Sequence, residues 1–84
     1  MIAPDPQVID FSRRRREIND RLDATRRQLD ALLEILEDGR ATIRDLALFE
    51  GLLQERRDLL AGLARLDDAF LDHIIELRSR VREE

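Results

Sequence analysis

The sequence predicts an all-α fold, an antiparallel two-helix hairpin of coiled-coil character, on three observations. Two long Leu-rich runs place apolar residues at alternating steps of three and four, the spacing of a helical seam. Between them, Glu37-Asp38-Gly39-Arg40-Ala41-Thr42 carries a helix stop and a helix start back to back. Folding the chain near position 40 then brings the two seams into register, layer by layer.

The first helix is expected over about 5–38, after a loose tail at 1–4, within a single hairpin domain spanning 5–84. Asp5 suits the N-cap and Pro6 the first helical position, where its missing N–H costs nothing. A start at Ser12 would set Arg13, Arg14, Arg15 and Arg16 against the helix dipole. The seam runs through Val8, Phe11, Ile18, Leu22, Leu29, Leu32 and Leu36, with Arg15 and Thr25 filling its gaps. Arginines crowd 13–27, whereas 28–38 holds acids and no Arg. That order opposes the dipole, which points to a neighbouring helix as its cause.

The turn is expected at 39–42. Gly39 has no Cβ and suits the left-handed residue that closes a helix. Thr42 and Asp45 resemble a capping box, with Asp in place of the usual Glu or Gln.

The second helix is expected over about 43–82, roughly 60 Å long at 1.5 Å per residue. Its seam comprises Ile43, Leu46, Phe49, Leu52, Leu59, Leu63, Leu66, Phe70, Ile74, Leu77 and Val81. Gly51 and Gly62 each cost about 1 kcal/mol against Ala in a helix interior. Close approach of another helix is the expected reason for them, and a kink at Gly51 the alternative.

Antiparallel pairing at a residue sum near 81 sets Leu32 with Phe49, Leu29 with Leu52, Leu22 with Leu59, Ile18 with Leu63 and Phe11 with Phe70. It sets Thr25 with Arg56 in a polar layer and Arg13 and Arg14 beside Asp67 and Asp68. Leu53, Leu60, Leu71 and Ile75 fall outside the seam on a flank of helix two, as do Leu33 and Ile35 on helix one. A two-helix hairpin has one inner face, so these six are expected to be exposed and to form a protein interface. The expected outcome is a homodimer, an antiparallel four-helix bundle, with a larger protein as a further partner.

Composition narrows the function. Eighty-four residues make a small domain with little core, and with no Cys there is neither a disulfide nor a thiolate metal site. Oligomerisation is the remaining staple. A net charge of −4 and three Phe without Trp or Tyr argue against general nucleic-acid binding. No apolar run is long enough to span a bilayer, and 1–6 lacks a signal-peptide pattern, so a soluble cytoplasmic protein without a membrane partner is expected.

Candidate chemistry is sparse. His73, the only His, has Asp72 and Glu76 nearby as metal co-ligands, but one imidazole with helix-surface acids falls short of a metal centre. A packed or interfacial His is the expected role. Arg13 to Arg16 offer contacts to a polyanion, diluted by Asp10, Glu17 and Asp20, and Arg21, Arg26 and Arg27 extend that alternative. Ser12 and Ser79 lack a His-based triad, and Gly39, Gly51 and Gly62 are too scattered for a phosphate loop. Arg15, Thr25 and Arg56 interrupt the seam, which fits register control or a small anion pocket. No cofactor and no catalysis are expected. The reading is a non-enzymatic helical interaction protein: an accessory subunit, adaptor, assembly chaperone or inhibitor.

Three resemblances carry the same grammar. Leu32-Leu33-Glu34-Ile35-Leu36-Glu37-Asp38-Gly39, followed by a second helix, resembles the helix–LExG–helix pattern of exonuclease VII small subunits. That likeness covers about the middle third and implies a short hairpin that binds a large catalytic subunit. The segment from Arg40 to Gly51 departs from it by one residue of spacing and lacks its Pro. Leu48-Phe49-Glu50 through Glu55-Arg56-Arg57-Asp58-Leu59-Leu60 is similar to flagellar export chaperones, which are small helical binders. Arg15 to Asp23 looks like the first helix of helical chorismate mutases, yet the Lys of that active site is absent from a chain without Lys. No family is assigned on these runs.

Overall fold

A computed structural model describes residues 4–83, so most of the expected tail lies outside the described residues. It contains two helices, α1 (Pro6–Glu37) and α2 (Ile43–Glu83), packed along each other as an antiparallel hairpin. The rod measures 64 × 16 × 16 Å. α2 is unbroken through Gly51 and Gly62.

Both ends of α1 close as the residue chemistry dictates. Asp5 Oδ1 accepts the Gln7 amide at 2.8 Å, ahead of Pro6 at the helix start. At the other end Gly39 takes φ +71°, a region where a Cβ would be strained. The Arg40 amide donates to the Ile35 carbonyl and the Gly39 amide to that of Leu36, each at 3.1 Å. This pair of bonds is a Schellman closure, and it turns the chain back. α2 begins with the reciprocal bonds of a capping box. The Thr42 amide donates to Asp45 Oδ2 at 3.0 Å, and the Asp45 amide to Thr42 Oγ1 at 3.2 Å.

The core is small and sits toward the turn. Leu29, Leu32 and Leu52 are buried, with Phe49 and Ile35 packed against them. Thr25 is buried too, and its hydroxyl donates to the Arg21 carbonyl at 2.8 Å. The expected polar layer with Arg56 is therefore not needed: Thr25 is satisfied within its own helix, and Arg56 stays exposed. Toward the open end the seam is only half-buried, where the rings of Phe11 and Phe70 stack at 3.8 Å and 3°. Aromatic pairs prefer offset or edge-to-face arrangements, so burial and register hold these rings face to face.

The structure corrects several seam positions. Ile43 is 86% exposed, and Leu46, Ile74 and Val81 also face solvent. Ile43 opens α2 directly after the turn, where α1 offers no opposing surface. Toward the open end, His73 takes the inward place instead of Ile74, while Leu77 keeps its expected one. An α-helix turns 100° per residue, so a strict 3.5-residue seam drifts around it. α2 also runs about two turns beyond the start of α1, leaving Val81 uncovered. Ile35 is not surplus: placed in the last turn of α1, it packs on the core. Within the hairpin neither glycine is closely approached by the other helix. A Cβ at Gly51 would meet nothing within 4 Å, and one at Gly62 only the Arg65 side chain at 3.9 Å.

Candidate functional site

An apolar feature outside the core lies along one flank of the rod. Between the helices an open groove of about 460 Å³ has Leu22, Leu29 and Phe49 as its floor. Leu33 rises on the α1 side, Leu53 and Leu60 on the α2 side, all three exposed. Asp23, Arg26, Asp30 and Arg56 form its rim, two of each sign. Helical spacing continues the same side of α2 to Leu71 and Ile75, 57% and 45% exposed. Five of the six expected interface residues thus share one flank, three of them in one groove, and Ile35 alone belongs to the core. Apolar side chains exposed in a row beside charged neighbours fit a helical partner better than a polar small molecule.

The Arg13–Arg16 cluster is placed differently from expectation. Arg13 and Arg14 pair with Asp10 on their own helix, at 2.7 and 3.0 Å. Arg15, not Arg13 or Arg14, reaches across to Asp67 at 3.6 Å. The cause is azimuth: Arg14 lines the side of the rod that holds Leu66 and Ala69, whereas Arg15 lies on the flank opposite. Arg16 donates to Ser12 Oγ at 3.2 Å. Farther along, Arg21 lies 3.7 Å from Glu55. These two cross-helix contacts give Arg15 and Arg21, two of the arginines in the first half of α1, partners on the neighbouring helix. All are solvent-exposed pairs, so each contributes about 0–1 kcal/mol. Carboxylates that already hold Arg13, Arg14 and Arg15 compete with any phosphate for them.

His73 has a partner that spacing alone did not indicate. Its Nε2 lies 2.8 Å from Asp5 Oδ2, with side chains only 14% and 17% exposed. A carboxylate only accepts, so Nε2 carries the proton in this contact. Asp5 therefore caps α1 with one oxygen and ties that end to α2 with the other. The His73 contact and then the Gln7 amide hold the Asp5 carboxyl below its ordinary pKa, against an opposing contribution from desolvation. Asp45 is lowered likewise, first by the Thr42 amide and then by its hydroxyl. Among the described residues no group of three His, Cys, Asp or Glu side chains is placed to hold a metal. His73 clasps the start of α1 to the body of α2.

Among the described residues no helix is long and apolar enough to cross a membrane. No family model matches the chain, and no curated protein or solved structure does either.

Proposed function

We propose that the protein is a non-enzymatic helical interaction protein, an accessory subunit, adaptor, assembly chaperone or inhibitor. It acts by self-association and by binding a larger protein, burying the flank that carries Leu33, Leu53, Leu60, Leu71 and Ile75. One observation carries this reading: Leu33, Leu53 and Leu60 converge on a single groove, exposed, over an apolar floor. Water contact with apolar area costs roughly 25 cal/mol per Å², so covering such a flank is a ready source of binding energy. A hairpin with three buried leucines has no second layer of its own to cover it.

Light scattering of the purified chain and of Leu53→Glu and Leu60→Glu tests the first half. The wild type is expected as a dimer at micromolar concentration, and the variants as folded monomers, because both sites are exposed and outside the core. Parallel pull-downs from the native host test the second half, with the variants as controls. A monomeric wild type that captures no more protein than its variants ends the reading.

A further inference from the structure

We infer that the open half of the hairpin is a latch. The helices part there as one unit while the turn half stays paired, and the Asp5–His73 contact sets how often they part. The inference is independent of the interaction role proposed above and concerns what holds the rod shut. Among the described residues, all that the hairpin buries, Thr25, Leu29, Leu32 and Leu52, lie on the turn side. From Leu22 outward on α1, and from Leu59 outward on α2, no described residue is buried. Phe11, Ile18, Leu63 and Phe70 are only half-buried. Local opening is easiest where few apolar contacts are buried.

The open half is held instead by polar ties of unequal strength. Among the described residues three polar side-chain contacts join the helices, and all lie beyond the Thr25 and Leu52 layer. Arg15–Asp67 and Arg21–Glu55 are long and exposed, so they hold little. The Phe11 and Phe70 rings meet face to face, an arrangement that aromatic pairs disfavour. Asp5–His73 differs from these, being short and largely shielded from water. The same Asp5 carboxylate accepts the Gln7 amide, so the cap of α1 and its docking on α2 depend on one group.

The length of the weak stretch sets it apart from ordinary fraying at a helix end. Residues 6–21 make about four turns of α1, and no buried layer interrupts them. Nothing inside that stretch arrests an opening that starts at the clasp; Thr25 and Leu29, with Leu52 opposite, form the first layer that can. A helix segment of this length is marginal in water once undocked, so 6–21 unravels as it leaves α2. Opening uncovers Phe11, Ile18, Leu63 and Phe70, an apolar seam that the closed rod half covers.

Native-state hydrogen exchange of the full chain, resolved amide by amide, tests the latch. Amides of 10–21 are expected to share one level of protection, at least about tenfold below that of 25–34, with a step between the two groups. Asp5→Asn keeps a cap, because Asn serves at that position as well as Asp, but removes the charge from the clasp. It and His73→Ala should each speed exchange at 10–21 about tenfold, and leave 25–34 and 47–56 unchanged. The double variant should exchange no faster than His73→Ala alone, since both changes remove the same contact. Protection that rises smoothly from the first turn of α1 to the chain reversal overturns the opening unit. Equal protection in the two halves, or variants that speed both halves alike, overturns the two-part hairpin. Exchange at 10–21 that neither variant changes, or effects that add in the double variant, removes Asp5–His73 as the latch.

Discussion

Leu52→Ala measures how much of the hairpin rests on its small core. Leu52 is 6% exposed and meets Leu29 and Leu32, the only other buried apolar residues among those described. Buried Leu→Ala changes cost about 2–5 kcal/mol, rising with the cavity left behind. Here the void borders the open groove floored by Leu29 and Phe49, so it can fill in part, and the lower end applies: about 2–3 kcal/mol. For a domain of this length each kcal/mol shifts Tm by about 4–8 °C, so a fall of about 10–20 °C is expected. The control is Leu48→Ala on the same helix. Leu48 is 56% exposed, so losing it should change Tm by less than about 2 °C. Thermal melts followed by circular dichroism at one fixed protein concentration give both values, the concentration being held because self-association would shift Tm. Equal losses for the two variants, or a loss below about 3 °C for Leu52→Ala, would refute the view that burial at this layer holds the helices together.

Further outcomes follow from the same structure. Gly39→Ala should cost about 1–2 kcal/mol, because φ +71° is a left-handed conformation, and Gly39→Asn should cost less; denaturant midpoints at unchanged m-value would show it. One Ala inserted after Gly39 should separate Phe11 from Phe70 by rotating α2 about 100°, and the melt should broaden and fall, whereas Arg40→Ala, in an exposed pair with Asp38, should change little. Asp5 has a depressed folded pKa, so its contribution to stability is present above the ordinary carboxylate pKa, near 3.9, and is lost as pH falls through the folded value. Melts below about pH 4 should therefore show a steeper acid loss for wild type than for Asp5→Asn, and matching slopes would argue against the His73 clasp. Fluorescence anisotropy with a labelled duplex should show no binding at physiological salt, since Asp10 and Asp67 already hold Arg13, Arg14 and Arg15; binding with a steep salt slope would revive the polyanion alternative.

Much of this architecture could be read from the amino-acid order, because the determinants are local. Asp5-Pro6, Gly39 and Thr42 with Asp45 act on backbone groups within a few residues, so chemistry and spacing suffice to set helix ends. A short turn then fixes an antiparallel register, and the Phe11–Phe70 stack lies at the expected sum. The exposed row Leu33, Leu53, Leu60 and Leu71 was equally legible, since a hairpin offers only one inner face. What escaped the sequence depends on azimuth and reach. Which arginine meets Asp67 is decided by the side of the helix it occupies, and a one-residue difference moves a side chain by 100°. His73 finds Asp5 because the drifting seam turns the imidazole inward where α1 begins, far from it in sequence. Ile35 joins the core, and Ile43 does not, because the tertiary fold decides where one helix has another to lie against. Periodicity gave the pairing of the helices; only the assembled hairpin, with real azimuths and real ends, decided which side chains it covers.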